Sequence, residues 1–501
     1  MKIVKGLLLG AAAALAAATG AHAADMPVKA KPVQYVKICS LYGDGFYYIP
    51  GTDTCLKMGG FLRIQAEYNT GSGAIASGNG GTMSAQARFA RDVTNDVNYR
   101  TRAVISWDVR QQTEYGVLRS FIRTGIQITT PGDTEAGNVY WDRAFIQFAG
   151  FTVGKTLSFF DLFNYCSYAY HDARVTGDTC VSNGLTVWGY TAEFGNGFSG
   201  TVSLESPLGH IRQPVVDASV AGFFAVNGTI VGDTAFAQQA AGINGWRMPD
   251  IIFNLRVDRT WGFAGISAAI HEASGGYYGA PNSVNNGHPA DKLGWAVQTG
   301  GQLNLAGGDI VGINVCYAQG APHFCTRQGV AQLYNASTSV AVGWIADGVF
   351  APGTEVELTR AWSVQAAYQH IWNPRWKTSL VGGYASVDYN GNATAILNSA
   401  LVAGSVCARP FAGLVGNLSA VRADAGNSCN PDYAFWEIGS RTQWNPVQQL
   451  DIGFELFYSH HLTAYKGAAL YTANPSRPAV PLIDDNGVLS AIFRWQRNFY
   501  P

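Results

Sequence analysis

Polar and apolar side chains alternate with a period of two along several stretches of this chain. Between residues 98 and 110 one parity is mostly polar and the other apolar: Arg100, Arg102, Ser106, Asp108 and Arg110 against Tyr99, Ala103, Ile105, Trp107 and Val109. Residues 56–69, 250–258 and 450–459 repeat the pattern. Successive Cβ atoms of a strand point to opposite faces of the sheet, so each stretch predicts a strand with one wet and one apolar face. A soluble antiparallel sandwich would show the same alternation.

The connections between these stretches alternate between very short and very long. Seven short turns, rich in Gly, Asn and Pro, lie near residues 111–115, 150–151, 195–197, 259–261, 307–308, 373–375 and 445–447. Eight long connections lie near 70–97, 131–137, 159–184, 207–248, 273–290, 320–355, 389–431 and 460–486. This asymmetry is typical of outer-membrane barrels, whereas a compact soluble domain rarely holds so many long loops. We therefore expect an all-β fold: a transmembrane antiparallel barrel of 16 strands with long extracellular loops.

Composition excludes several other classes of protein. Charged residues make up only 13% of the chain, yet the mean hydropathy is +0.03, too low for a helical membrane protein. The net charge of -1 argues against a nucleic-acid partner, which would select a basic surface. Trp372, Trp376 and Trp444 flank two Asn-Pro turns and are expected to lie in an aromatic girdle at the membrane interface.

The N-terminus has the features of a secretory signal peptide. Lys2 and Lys5 precede an apolar stretch at 7–18, and Ala21-His22-Ala23 has the small-x-small form of a cleavage site. We expect a signal peptide over 1–23, an extension with a disulfide loop over 24–55, and a barrel over 56–501. The extension could lie in the periplasm or enter the lumen.

Eight cysteines form four couples that are close in sequence: Cys39 with Cys55, Cys166 with Cys180, Cys316 with Cys325, and Cys407 with Cys429. An exported chain meets an oxidising compartment, which favours disulfides over metal ligation. Eight cysteines allow 105 pairings, so the pairing of neighbours is a hypothesis. No couple has C-x-x-C spacing, and we predict neither a metal site nor a cofactor.

Two stretches are similar to a known family. Residues 32–60, PVQYVKICSLYGDGFYYIPGTDTCLKMGG, and residues 143–161, RAFIQFAGFTVGKTLSFFD, resemble the general porins of alphaproteobacteria. The resemblance implies a homotrimer of sixteen-stranded barrels in outer-membrane lipid and lipopolysaccharide, passing small polar solutes without an enzymatic step. It also implies that the third long loop folds into the lumen. The last stretch, 488–499, looks like the terminal strand that the outer-membrane assembly machinery recognises.

A pore needs a constriction, and the loop from Phe159 to Gly184 is the candidate. It carries acidic residues at Asp161, Asp172 and Asp178, and a disulfide between Cys166 and Cys180 would hold it as a hairpin. Six arginines are expected on the opposing wall: Arg100, Arg102, Arg110, Arg119, Arg123 and Arg143. An acidic loop opposite a basic wall would create an electric field across the constriction. Alternatively, the arginines are ordinary interior residues paired with Asp108 or Glu114.

The loop is also rich in aromatic residues, namely Phe159, Phe160, Phe163, Tyr165, Tyr168 and Tyr170. They could form an apolar slide for a sugar, which would make the chain a substrate-selective channel for a sugar or anion. We favour packing of the loop against the wall instead.

Other motifs predict little chemistry. The G-x-G-x-x-G match at 195–200 has no following helix and predicts a hairpin. His460 and His461 are predicted to open a long loop as a surface pair. A secreted binding module or a hydrolase using Ser459 and His461 is a further alternative, although no third orienting residue is evident.

Overall fold

The computed structural model describes residues 37–69, 97–130, 138–163, 167–171, 184–207, 215–219, 245, 247–279, 284–326, 331–335, 339–398, 420–422, 428–467, 469–471 and 482–499. The predicted signal peptide, residues 1–23, and the start of the predicted extension therefore lie outside the described residues. Within the described ranges, no helix is long and apolar enough to cross a membrane.

Sixteen long strands form one antiparallel sheet, and we number only these. They are β1 (Cys55–Asn69), β2 (Val97–Thr113), β3 (Gly116–Thr130), β4 (Asn138–Phe148), β5 (Phe151–Thr156), β6 (Leu185–Gly195), β7 (Phe198–Glu205), β8 (Asp250–Arg259), β9 (Gly262–Ala273), β10 (Lys292–Asn304), β11 (Ile310–Gln319), β12 (Arg360–Asn373), β13 (Trp376–Asp388), β14 (Tyr433–Trp444), β15 (Leu450–Leu462) and β16 (Asn486–Asn498).

The sheet closes on itself. Each strand pairs with its neighbour in sequence, and β16 returns to β1, with Phe61 opposite Asn498 and Asn69 opposite Ser490. Closure leaves no strand edge unpaired, which is what a sheet in lipid requires. The predicted sixteen-stranded barrel is confirmed.

Side chains alternate between the two faces as the sequence predicted. On β8, Phe253 and Leu255 are 44% and 57% exposed on the outer face, whereas Ile252 and Asn254 are buried on the inner face. The outer face of the barrel is thus apolar, as contact with lipid would require, and the polar parity lines the lumen.

Seven turns of two to five residues connect strands at one end of the barrel, which we call the short-turn end. Asn196 and Gly197 both have positive φ, 51° and 71°, as a two-residue hairpin requires. The glycine-rich motif at 195–200 is thus a hairpin, as predicted. Trp376 and Trp444 lie exposed at this end, with ring centroids 5.8 Å apart.

The long connections meet at the opposite, long-loop end. There the short strands Val215–Asp217 and Gly348–Phe350 pair in parallel, and a helix, α1 (Gly391–Asn398), packs nearby. The loops bury their own apolar core, which includes Val349, Leu397 and Tyr465.

The prediction that His460 and His461 open a surface loop is wrong. His460 and His461 lie within β15, not in a surface loop, and His461 is fully buried with its ring stacked 5.1 Å from that of Tyr433. The strand continues three residues past the predicted end at Ser459, so both histidines remain in the hydrogen-bonded ladder with β14.

Candidate pore constriction

The connection between β5 and β6 enters the barrel, and its described parts are residues 157–163 and 167–171. Its first anchor is Glu205 at the end of β7. This carboxylate accepts hydrogen bonds from the hydroxyl of Ser158 at 2.6 Å and from the backbone N–H of Phe159 at 2.9 Å. Because Glu205 is fully buried, these bonds fix the point at which the chain leaves the wall.

The middle of the loop follows the inner wall. Phe160 packs on Phe324 with ring centroids 4.6 Å apart. Gln365 on β12 donates to the carbonyl of Phe163 at 3.3 Å, and Tyr168 donates to the side chain of Gln302 on β10 at 2.7 Å.

A glycine on the wall makes room for the loop. An added Cβ at Gly312 on β11 would lie 2.1 Å from the Phe163 ring. The wall therefore has no side chain where this ring meets the sheet.

The far end of the loop is held by charged residues of the last three strands. Glu455 on β15 accepts the backbone N–H groups of Tyr170 at 2.6 Å and His171 at 2.8 Å. Arg441 on β14 donates to the carbonyls of Ser167 and Ala169 at 2.9 and 3.3 Å. Arg494 on β16 donates to the carbonyl of Tyr170 at 3.3 Å and stacks on its ring. Charge-assisted bonds to a backbone in a buried site are strong, so the loop has a defined path.

Most of the loop aromatics are packed against the wall. Phe160, Phe163, Tyr168 and Tyr170 are each at most 8% exposed. Tyr165 lies outside the described residues.

The six predicted arginines lie on three adjacent strands, β2 to β4, which form one arc of the barrel wall. Arg110 and Arg119 share Asp108, at 2.8 and 2.9 Å, as the alternative interpretation foresaw. Arg102 donates to Gln127 at 2.6 and 3.0 Å. Arg100 is buried and donates to Thr129.

Arg123 and Arg143 meet a carboxylate that sequence reasoning missed. Asp142 lies 3.0 Å from Arg123 and 3.4 Å from Arg143. Strict alternation from Arg143 would place Asp142 on the lipid face. A bulge between β3 and β4 at this point adds one residue to β4, and the extra residue turns inward.

The throat side of this arc remains partly open to solvent. The side chains of Arg110, Arg119 and Arg123 are 27%, 26% and 37% exposed despite their ion pairs. Four of the six guanidinium groups therefore share two neighbouring carboxylates, Asp108 and Asp142, so this part of the arc carries four positive charges against two negative ones.

Only one of the three acidic residues predicted for the constriction loop lies among the described residues. Asp161 lies in the described part of the loop. Asp172 and Asp178 lie outside the described residues.

Two of the four predicted cysteine couples are disulfides in the structure, Cys39–Cys55 and Cys316–Cys325. Cys429 is also disulfide-bonded. Cys166, Cys180 and Cys407 lie outside the described residues, so the pairing of the other two couples stays a prediction.

The first of these disulfides joins the segment before β1 to the first residue of that strand. In this segment, the ring centroids of Tyr42 and Phe46 lie 5.7 and 5.0 Å from the guanidinium of Arg110. The described part of the segment therefore contacts the basic wall at the short-turn end.

Comparison with known proteins agrees with this architecture. The chain is 32% identical over 281 residues to porin Omp2b of Brucella suis, a match covering 53% of this chain and 65% of that relative. It is 33% identical over 157 residues to outer membrane protein y4fJ of Sinorhizobium fredii, covering 31% and 43% of the two chains. This chain thus matches less than two thirds of the length of these relatives.

Among solved structures, the outer-membrane channel DcaP of Acinetobacter baumannii has the same fold, with a TM-score of 0.56 at 13% identity, covering 90% of this chain and 99% of that one. The model of the porin subfamily matches residues 25–478. The predicted resemblance is confirmed: the chain belongs to the porin subfamily and is a β-barrel of the bacterial outer membrane.

Proposed function

We propose that this barrel is a passive, water-filled channel for ions and small hydrophilic solutes. The observation that carries the proposal is the uneven coverage of the lumen. The loop after β5 is fastened to residues from β7 to β16, while β2 to β4 present partly exposed arginines. Diffusion through such a throat requires no catalytic group and no cofactor, because size and charge decide what passes.

The charge of the throat favours anions over cations of equal size. Four arginines, Arg110, Arg119, Arg123 and Arg143, stand against Asp108 and Asp142 on one arc, and a low-dielectric wall concentrates the field of these charges in the opening. Asp161, with Asp172 and Asp178, would supply the opposite sign on the loop. The resulting transverse field orders water and favours polar over apolar solutes.

The substrate-selective alternative is less well supported. A sugar slide needs aromatic faces that are open to the lumen, and Phe160, Phe163, Tyr168 and Tyr170 are buried against the wall. Their rings serve packing, as the sequence analysis favoured.

Single-channel recording in a planar bilayer tests the proposal. We expect stepwise currents that increase linearly with salt concentration. In liposome-swelling assays, the swelling rate should fall as the solute becomes larger. Saturable block by one sugar would favour the selective channel, and protein that inserts but conducts no ions would contradict both. Boiled protein provides the control for contaminating pores.

We further propose that three copies assemble in the outer membrane, as the resemblance to general porins implies. Purified protein in mild detergent should then migrate as a compact oligomer until it is boiled. Migration as a monomer at every temperature, together with a monomer mass in native mass spectrometry, would contradict the trimer.

A further inference from the structure

Four buried titratable side chains lie together at the long-loop end. Asp250 begins β8 and His271 lies near the end of β9, whereas His323 and Asp347 come from the connection between β11 and β12. Each of the four is at most 2% exposed. Two wall strands and one long loop therefore meet at two carboxylates and two imidazoles.

The carboxylate of Asp347 lies between the two imidazole rings. Its Oδ2 is 3.0 Å from Nε2 of His271, and its Oδ1 is 3.5 Å from Nδ1 of His323. The opposite nitrogen of His271, Nδ1, is 2.7 Å from Oδ1 of Asp250. Asp347 thus faces one nitrogen of each ring.

Donor atoms of three of these residues lie close together. Asp250, His271 and His323 each offer one donor atom, and these three atoms lie within 4.8 Å of one another. Around zinc, with bonds of about 2.0–2.2 Å, neighbouring ligand atoms lie about 3.3 Å apart, so small side-chain adjustments would complete the set. Two imidazoles and a carboxylate form a donor set that suits zinc and similar divalent ions.

We propose that Asp250, His271 and His323 bind a divalent transition-metal ion of the zinc class, and that Asp347 is a positioning residue. A carboxylate on the far nitrogen of a metal-bound imidazole fixes its tautomer and its orientation. Asp347 serves both rings in this way, through Nε2 of His271 and Nδ1 of His323.

The surroundings favour an ion at this position. Ile252, Ala269, Phe324 and Ala346 belong to the apolar core around the four side chains. Burying two carboxylates among such residues is costly unless positive charge compensates them. A divalent cation compensates both carboxylates while leaving the imidazoles neutral, the form in which they ligate metals.

The ion would fasten the long loop to the barrel. The Cys316–Cys325 disulfide already holds the turn Pro322–Phe324 against β11. A metal ligated by His323 adds a bond from that turn to β8 and β9, so two independent links would fix the loop at the outer mouth.

The test uses untagged, full-length protein purified from outer membranes in detergent. The protein is stripped with a chelator, dialysed against buffer containing zinc and then against buffer without it, and its zinc content is measured by mass spectrometry. Cobalt(II) is then used as a spectroscopic probe, because its visible absorption reports nitrogen and oxygen ligands directly. Both readouts are independent of conductance, so they fail or succeed separately from the proposed channel function.

We expect one zinc per chain in the wild type and in H288Q, which removes an exposed imidazole from the neighbouring loop. H271A and H323A should retain none. D347N should bind zinc about 10–100-fold more weakly, yet give the wild-type cobalt spectrum at saturation, since it removes no ligand.

Three results would overturn the proposal: no stoichiometric zinc in the wild type, equal zinc in H323A and the wild type, or a changed cobalt spectrum in saturated D347N. Should H271A fail to fold, H323A decides, because His323 lies in a loop outside the barrel ladder. If the cluster is instead a metal-free ion pair between a protonated histidine and the two aspartates, the wild-type protein will retain no zinc.

Discussion

Glu455 and His171, which are 284 positions apart, are joined in the lumen by a 2.8 Å hydrogen bond from the backbone N–H of His171 to Oε1 of Glu455. The second oxygen of Glu455 accepts the N–H of Tyr170 at 2.6 Å, and the imidazole of His171 also contacts this carboxylate. One buried acid on the wall therefore holds the far end of the constriction loop.

Replacing Glu455 by Gln should loosen that end. The amide can accept from one backbone N–H, but its NH2 group opposes the other, and an unsatisfied buried donor costs about 1–3 kcal/mol. We expect a larger and noisier single-channel conductance than in the wild type. E193Q is the matched control because Glu193 is an exposed residue of β6 at the short-turn end. Equal conductance in E455Q and the wild type would show that Glu455 does not hold the loop.

Replacing Gly453 by Ala should have the opposite effect on the opening. The added Cβ would lie 2.0 Å from the hydroxyl oxygen of Tyr170, so the ring must move away from the wall and into the lumen. We expect a smaller conductance, measured in the same bilayer assay. G382A is the milder control, because its Cβ comes no closer than 3.2 Å to a neighbour. A wider pore in G453A would be inconsistent with the described position of Tyr170.

Asp309, in the turn between β10 and β11, should contribute to stability in a pH-dependent way. Hydrogen bonds from His370, the backbone N–H of Ile371 and the hydroxyl of Tyr368 lower the pKa of Asp309 from 3.8 to about 2. A lowered pKa in the folded state means that the contribution is complete above pH 3.8 and is lost as the pH falls through about 2.

The D309N variant tests this contribution. It should melt below the wild type at neutral pH, and the difference should vanish near pH 2, as followed by circular dichroism. D53N, in the exposed N-terminal segment, should melt like the wild type at both pH values. A difference between D309N and the wild type that does not change with pH would contradict the assignment.

The barrel could be predicted from sequence because its signals are local. Alternation along each strand and glycine or asparagine in each turn are properties of a few adjacent residues. The interior was harder to predict. Asp142 was missed because a bulge breaks the alternation. Glu455 lies in the alternating stretch 450–459, but its role was missed because its partners lie in a loop more than 280 positions away.

The histidines illustrate the same limit. Two adjacent histidines, His460 and His461, attracted attention by proximity in sequence, yet His461 is a packed ring within β15. The cluster of Asp250, His271 and Asp347 has no sequence signature, since His271 is separated from its carboxylate partners by 21 and 76 positions. Only closure of the barrel and folding of the loops bring these groups together.

The reversal potential across a salt gradient tests the central claim most directly, namely that β2 to β4 present the charge that solutes meet. The R119Q/R123Q variant replaces two partly exposed guanidinium groups of the throat by neutral amides. Its reversal potential should therefore shift toward cation selectivity relative to the wild type. The control R259Q/R375Q removes the same charge from short turns at the rim and should keep the wild-type value. If R119Q/R123Q gives the wild-type reversal potential, the arginine wall does not set the field of the pore.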